Sequence, residues 1–303
     1  KFSAGIIVSA GCLGGVIPPS TGLTAINALT GGLDLVTLFK VAAVIGVGAG
    51  LIVCVYSYVH CLRHGNGDQV KINAWVDRLH KKSFGAVFSD SIWAILTPVI
   101  ILGSIFSGIA DTVQAAAISL VYGMIVSACV YRSIRLNELP GIIIKSIRNA
   151  GPVLVMVGFA TVFSNSIGAI GVTKMLQDFV VHAGWTGNML MIGVLLFMLV
   201  GGTIGAGSSV GLLTPLVYPL MIASGMNPFV GCAAMTLMQC LGGLTPPIGM
   251  ALFTMVGISN LDIKKVSKSI VPTLLLMFVW ALLVVNIPDV FNGLIGDAYI
   301  PIP

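Results

Sequence analysis

Two stretches of the chain carry the same pattern: GGVIPPSTGLTAINALTGGLDL at residues 14–35 and GGLTPPIGMALFTMVGISNLDI at residues 242–263. Each has a glycine pair, two further residues, a proline pair and a later Leu-Asp, and the two align without a gap at an offset of 228 residues, as from Pro18 to Pro246. Chance could repeat a proline pair, but six identities at one offset indicate a duplicated unit. The identical pairs are Gly14/Gly242, Gly15/Gly243, Pro18/Pro246, Pro19/Pro247, Leu33/Leu261 and Asp34/Asp262.

The proline pairs predict two breaks in apolar helices. Each proline lacks an N–H and its ring clashes with the preceding turn, so the helix stops and leaves backbone groups unpaired. In lipid, such groups are tolerated only where protein buries them or where they line a polar cavity. A cation can satisfy the carbonyls, and an anion can satisfy the amides at a half-helix N-terminus. The breaks therefore predict a substrate or ion site; the alternative is a kink that serves packing alone.

The composition places the chain in a lipid bilayer. Hydrophobic residues make up 57% of the 303 residues, charged residues only 8%, and the mean hydropathy is +1.05. Soluble domains carry about 25% charged residues, so this chain has too few to cover a water-exposed surface. The net charge of +5 comes from 15 basic and 10 acidic residues, which is too sparse for a nucleic-acid surface. The six cysteines form no CxxC pair, and we interpret them as reduced packing residues.

Five stretches are long and apolar enough to span a membrane, which takes about 20 residues. They are Leu38–Leu62, Ser91–Ile109, Thr112–Tyr131, Pro152–Val172 and Ile270–Ile287. Twelve of the 15 Lys and Arg residues fall in three predicted loops, 63–90, 132–148 and 264–268, and the positive-inside rule places these loops in the cytoplasm. The segment with the first proline pair then crosses the membrane from inside to outside, and the segment with the second crosses from outside to inside. These opposite directions predict inverted repeats.

A re-entrant hairpin is predicted just before the second proline pair. Two short apolar arms, Asn188–Val200 and Leu212–Ile222, flank a tip of small residues, GGTIGAGSSVG at 201–211. The backbone of such a tip needs other protein around it. Close helix packing through the small residues is the alternative interpretation.

Hydroxyls near the breaks provide candidate substrate ligands, because they can donate hydrogen bonds to an anion without a buried Lys or Arg. We expect Thr203, Ser208 and Ser209 of the hairpin, together with Ser20 after the first proline pair, to bind substrate. Only about 13 residues precede the first break. The matching hairpin of the first repeat is missing from them, so we expect the chain to be N-terminally incomplete.

The stretch KINAWVDRLHKKSFGAVF, residues 71–88, has apolar residues at helical spacing among basic ones. This pattern suits a helix lying in the membrane interface. An ordinary linker helix would show the same pattern, so both interpretations remain open.

At these residues the chain resembles the large membrane subunit of the tripartite ATP-independent periplasmic (TRAP) transporters. The resemblance covers nearly the whole chain and lies in the order and spacing of its segments. These are IPPS from Ile17, LFKVAAVIGVGAGL from Leu38, WAILTPVIILGSIFSGI from Trp93, AAAISLVYGMIVSACVYR from Ala115 and GLTPPIGMALF from Gly243.

The resemblance implies an all-α membrane protein of the elevator type, with inverted repeats, broken helices and re-entrant hairpins. It also implies a small four-helix membrane partner, a periplasmic binding protein that delivers an organic anion, and coupling to sodium. The protein would lie in the bacterial inner membrane as a multi-pass permease. No other cofactor is expected.

Carried over residue by residue, the resemblance implies sodium ligands that are mainly backbone groups at the two breaks. Those at the first break are Gly14, Ile17 and Pro19. Those at the second are Gly242, Thr245 and Ile248, with Gly202 of the hairpin closing the site. The Thr245 hydroxyl suits this role because hard cations prefer oxygen ligands.

We therefore expect a sodium-coupled importer of an organic carboxylate, similar to a C4-dicarboxylate or a sialic acid. The predicted segments are the first broken helix (1–37), scaffold spans with cytoplasmic loops and interfacial helices (38–187), the hairpin and second broken helix (188–260), and a final span with a periplasmic C-terminus (261–303). A binding-protein-independent sodium/anion symporter and a structural membrane subunit are the alternatives. An enzyme is not expected, because intramembrane ionisable residues are almost absent.

Overall fold

The computed structural model describes residues 2–31, 33–65, 73, 76, 84–110, 112–201, 206–245, 249–259 and 261–295. Within these ranges the chain is helical and contains no strand, which confirms the all-α prediction. The chain divides into two compact units, a first unit of residues 1–57 with 151–303 and a second unit of residues 58–150. Residues 71–88, the predicted interfacial or linker helix, lie largely outside the described ranges.

Thirteen α-helices follow one another in the described ranges. They are α1 (Phe2–Cys12), α2 (Thr21–Thr30), α3 (Leu35–His64), α4 (Phe84–Phe106), α5 (Thr112–Ile125), α6 (Leu139–Ile170), α7 (Val172–His182), α8 (Gly187–Gly201), α9 (Ala206–Ala223), α10 (Pro228–Gly242), α11 (Met250–Ser259), α12 (Ile263–Asn286) and α13 (Asn292–Ile295). Short 3₁₀ turns cover Leu13–Gly15, Leu136–Glu138 and Pro288–Phe291, and a π-helical turn, Val126–Val130, follows α5.

The duplicated Leu-Asp starts a long helix in both halves of the chain. The Asp34 carboxylate accepts a hydrogen bond from the backbone N–H of Thr37 at 2.8 Å, at the start of α3. The Asp262 carboxylate accepts one from the N–H of Lys264 at 3.1 Å, at the start of α12. Each aspartate satisfies a backbone donor that a helix N-terminus leaves unpaired. The sequence repeat is thus a repeat of helix starts.

Helix α10 forms the centre of the first unit. Thirteen of its 15 residues are buried, as expected for a helix surrounded by protein rather than by lipid or water. It packs against α8, α9 and α12, and α9 also packs against α2 and α7. The helix before the second proline pair is therefore held on several sides.

Helix α1 packs closely along α12. At Gly5, an added Cβ atom would lie 2.6 Å from Ser269 Oγ and 2.8 Å from its carbonyl oxygen, so the small residue permits the approach. One turn along, the buried hydroxyls of Ser9 and Thr273 are 2.7 Å apart. Thr273 donates its proton to the carbonyl of Ile270 at 2.8 Å, so Ser9 donates to Thr273.

Helices α3 and α12 meet at one tryptophan. Trp280 donates its indole N–H to the backbone carbonyl of Ile45 at 2.9 Å. Its ring occupies the space beside Gly48, where an added Cβ atom would overlap the ring. In the second unit, α4 packs against α5, and the Tyr122 hydroxyl donates to the carbonyl of Trp93 at 2.8 Å.

Three helices of the described residues are long and apolar enough to cross a membrane: Leu35–His64, Val113–Val130 and Ile263–Asn286. They contain the whole predicted span Leu38–Leu62 and all but the end residues of Ile270–Ile287 and Thr112–Tyr131. The predicted span Ser91–Ile109 corresponds to α4, which starts at Phe84, and Pro152–Val172 corresponds to α6, which starts at Leu139. These helices begin earlier because hydropathy marks only the apolar part of a helix.

The prediction that the basic residues lie in loops is wrong for six of them. All six lie in regular helices: Arg63 in α3, Lys145 and Arg148 in α6, and Lys264, Lys265 and Lys268 in α12. Lys and Arg are good helix formers, so a helix continues through them beyond its apolar part. A cluster of basic residues therefore marks the end of an apolar segment rather than the end of a helix.

Candidate functional site

The first proline pair lies between two short helices. Helix α1 ends at Cys12, a 3₁₀ turn follows, and α2 begins at Thr21 after a cis Pro18–Pro19 peptide bond. In the turn, the Leu13 carbonyl accepts hydrogen bonds from the N–H groups of Val16 and Ile17 at 3.0 and 2.9 Å. The turn thus satisfies part of the backbone that the helix end leaves free.

The predicted residues of the first break differ in their surroundings. Gly14, Ile17 and Pro19 are exposed, and an added Cβ atom on Gly14 would touch nothing within 4 Å. Ser20 is buried, donates its hydroxyl proton to the Gly15 carbonyl and accepts a hydrogen bond from the N–H of Leu23 at 3.3 Å. Ser20 therefore caps α2 and would have to break its bond to Gly15 before it could donate to a substrate.

The second break begins where α10 ends at Gly242. The Gly242 carbonyl accepts a hydrogen bond from the Thr245 N–H at 3.0 Å, and the Thr245 hydroxyl donates to the Leu241 carbonyl at 2.9 Å. The hydroxyl oxygen keeps lone pairs that can face a cation. Helix α11 begins at Met250.

Gly249 faces a group of backbone oxygens at the second break. A Cβ atom built on Gly249 would lie 2.7 Å from the carbonyl oxygen of Gly243 and 3.0 Å from that of Thr245. Gly243 also accepts a long hydrogen bond, 3.3 Å, from the N–H of Ala251. Two carbonyl oxygens thus border a space that any side chain would fill, and oxygen ligands of this kind suit a hard cation.

The two breaks lie together in the first unit. An added Cβ atom on Gly15 would lie 2.7 Å from the sulfur of Cys240 in α10, and one on Gly22 would lie 3.3 Å from Thr236 Cγ2. The turn at the first proline pair therefore packs against the helix that leads to the second. Helix α9 contacts both α2 and α10, so the predicted hairpin arm lies beside both broken helices.

Several predicted residues fall outside what the structure describes. Gly202, Thr203 and Ile248 lie outside the described ranges. Ser208 and Ser209 lie in the first turns of α9, which begins at Ala206, and their side chains are not among those described. The helix thus begins within the predicted tip, six residues before the arm predicted from Leu212.

Sequence reasoning did not single out Gly249 and did not extend the repeat far enough. The duplication begins two residues earlier than Gly14, since CLGG occurs at both 12–15 and 240–243. The counterpart of Gly249 at the same offset is Thr21, so the repeat carries no signal for Gly249.

The buried polar side chains of the described residues are all neutral. They are Ser9, Ser20, Thr37, Thr214, Asn227, Thr236 and Thr273. A charged ligand in this region would therefore have to be bound by backbone groups, hydroxyls or a second ion. A cavity of about 350 Å³ also lies between α1 and α11, lined by Val8, Gly11, Cys12, Ala251, Thr254 and Met255.

A family model described as "Tripartite ATP-independent periplasmic transporter, DctM component" matches residues 1–290. The chain belongs to this family. DctM-family proteins are transporter components rather than enzymes, and the three long apolar helices agree with an integral membrane protein. The resemblance drawn from the order and spacing of five segments is therefore confirmed.

Three curated relatives show how similar the chain is to known DctM-family proteins. The isethionate TRAP transporter permease protein DctMQ of Oleidesulfovibrio alaskensis is 29% identical over 291 residues, 95% of this chain and 45% of the relative. The C4-dicarboxylate TRAP transporter large permease protein DctM of Pseudomonas aeruginosa is 28% identical over 95% of this chain and 66% of the relative. The sialic acid TRAP transporter large permease protein SiaM of Vibrio cholerae is 28% identical over 99% and 68%. The chain thus spans between about half and two thirds of each relative.

Proposed function

We propose that this chain is the transport-site part of a sodium-coupled secondary transporter that imports an organic carboxylate. The observation that carries the proposal is the pair of carbonyl oxygens, from Gly243 and Thr245, beside the side-chain-free position Gly249. This arrangement offers a cation hard oxygen ligands without a formal negative charge. The Thr245 hydroxyl and the carbonyls of Gly242 and Ile248 would complete the set.

The first break would form the companion sodium site through Gly14, Ile17 and Pro19, with Gly202 of the hairpin closing the second. The chain would be arranged as two inverted repeats with broken helices, a hairpin and elevator movement; the repeated helix starts at Asp34 and Asp262 support the repeat itself. Segments 1–37 and 188–260 would move together as the transport domain. The contacts of α9 with both α2 and α10 support this grouping.

The substrate would be an organic anion held between the breaks. The neutral buried side chains favour binding by the half-helix N-termini of α2 and α11, by sodium, and by the hydroxyls of Thr203, Ser208 and Ser209. Bound sodium would supply the positive charge that the buried polar side chains lack. The names of the relatives are consistent with this class, since isethionate, C4-dicarboxylates and sialic acid are all organic anions.

The partners would be a small membrane permease and a periplasmic substrate-binding protein, with the complex in the bacterial inner membrane. The basis is the family description, which names a tripartite periplasmic transporter. Segment 38–187 would form the scaffold, and the second unit, residues 58–150, falls wholly within it. Segment 261–303 would add the final span and a periplasmic C-terminus.

The proposal is tested by uptake into proteoliposomes that contain the full-length permease with its partners. We expect carboxylate uptake to require a sodium gradient and to be independent of ATP. Unchanged uptake after replacement of sodium by potassium or choline would refute sodium coupling. Uptake that persists without the binding protein would instead favour a binding-protein-independent symporter.

The role of the hairpin in substrate binding is tested separately. The double change Ser208→Ala and Ser209→Ala should weaken substrate affinity while sodium dependence is kept. Unchanged affinity and rate would remove these two hydroxyls from the site.

A further inference from the structure

Cys12 and Cys240 occupy the same position in the two repeats. Each begins the sequence CLGG, and they are separated by the offset of 228 residues that relates the proline pairs. Cys12 is the last residue of α1, and Cys240 lies in the last turn of α10. The duplication thus places one thiol immediately before each break.

The first unit brings these two thiols together. The sulfur of Cys240 lies 2.7 Å from the position that a Cβ atom on Gly15 would occupy. Gly15 follows Cys12 by three residues, so the two positions share one side of a helical turn. Because Gly15 has no side chain, the Cys240 thiol can lie against the side of the turn that carries Cys12.

One of the two thiols, that of Cys12, lies at the edge of a cavity. Cys12 lines the cavity of about 350 Å³ between α1 and α11, and the thioether residue Met255 lines the same cavity. Both cysteines are free, and both are partly exposed rather than fully buried. In contrast, Cys232 of α10 is fully buried.

We infer that Cys12 and Cys240 form a binding site for a soft, thiophilic metal cation such as Cu(I), Ag(I) or Hg(II). Thiolates are the ligands that such cations prefer, and two thiolates suffice for linear coordination. With Hg(II), both S–H bonds break, two S–Hg bonds form, and the two protons pass to water in the cavity. No oxidant or reductant is needed.

Metal binding at this site would tie α1 to α10 directly before both breaks. Both helices belong to the proposed transport domain, so the bridge would fix the spacing of the two breaks inside that domain and block any adjustment between them during transport. We therefore expect low mercuric ion concentrations to inhibit transport and a competing dithiol to restore it. This inhibition is independent of the substrate and of sodium.

The test titrates mercuric chloride into the purified full-length permease in which every cysteine except Cys12, Cys240 and Cys232 is replaced by serine, Cys54, Cys61 and Cys129 among them. Cys232 is kept because it is buried. The ultraviolet charge-transfer band of mercury–thiolate bonds should saturate at one ion per chain. Replacing one thiol, as in Cys12→Ser or Cys240→Ser, should weaken binding by about 10²–10⁴-fold, since the second thiol then no longer acts at high effective concentration.

Saturation at two ions per chain, or full affinity in either single variant, would overturn the inference. Mass spectrometry on the permease that keeps both thiols provides a second measurement that does not depend on the folding of the variants. After digestion, one mercury atom should join the peptides that contain Cys12 and Cys240. Separate mercury adducts on the two peptides, or no adduct, would also overturn the inference.

Discussion

The substitution Gly249→Ala tests the oxygen group at the second break most directly. The new methyl group would lie 2.7 Å from the Gly243 carbonyl oxygen, 3.0 Å from that of Thr245 and 3.1 Å from the carbonyl carbon of Leu244. All three contacts are with backbone atoms, which cannot swing aside as a flexible side chain can. The Gly243 oxygen would have to retreat by about 0.7 Å to reach an ordinary contact of 3.4 Å.

The size of the effect follows from the cost of this crowding. Forcing an extra methyl group into a packed site costs about 1–3 kcal/mol. Sodium binding would have to bring the displaced oxygens back against that cost. Because about 1.4 kcal/mol corresponds to a tenfold change in affinity, the sodium concentration for half-maximal uptake should rise about 5- to 150-fold.

The assay measures uptake by the reconstituted full-length permease as a function of sodium concentration. Gly257→Ala in α11, the helix that Gly249 immediately precedes, is the matched control, because a Cβ atom there would touch nothing within 4 Å. It should leave sodium dependence unchanged. If Gly249→Ala and Gly257→Ala show the same half-maximal sodium concentration, the carbonyls of Gly243 and Thr245 do not form the sodium site.

Two further predictions use paired variants. Thr245→Ala should weaken sodium dependence, whereas Thr245→Ser should preserve it. Serine keeps a hydroxyl that can donate to the Leu241 carbonyl and face a cation. Equal sodium curves for the two variants would exclude the hydroxyl as a ligand. Thr273→Ala should lower the thermal stability more than Ser9→Ala. It leaves the buried Ser9 hydroxyl without its acceptor, at a cost of about 1–3 kcal/mol. When Ser9 is replaced instead, the Thr273 hydroxyl keeps its hydrogen bond to the Ile270 carbonyl. Thermal unfolding in detergent measures both variants, and the opposite order would contradict the assigned proton positions.

The sequence predicts the helical class and the family because both depend on long patterns. The proline pairs stop helices wherever they occur, and the segments around them carried the resemblance to the TRAP permeases. The helix ends were harder to predict. Helix α6 starts 13 residues before the predicted Pro152, because Lys145 and Arg148 are polar yet favour helix.

The candidate site was predictable only in part because its proposed ligands are mainly backbone atoms. A carbonyl oxygen belongs to every residue, so residue type alone does not distinguish the carbonyl of Gly243 from that of Gly242. What distinguishes Gly249 is the space beside it, which becomes visible only when α11 is placed against the end of α10. The nearness of Cys12 and Cys240 likewise depends on how the two breaks pack together.

The contact between Trp280 and Ile45 gives the protein a built-in optical reporter. Indole fluorescence responds to hydrogen bonding and to the polarity around the ring, and this indole N–H is bound to one backbone carbonyl 2.9 Å away. Any movement that separates α3 from α12 must break that bond and move the ring from its place beside Gly48. Once the other tryptophans are replaced, Trp75, Trp93 and Trp185 among them, the emission of Trp280 can therefore follow the relative motion of these two helices without an attached dye.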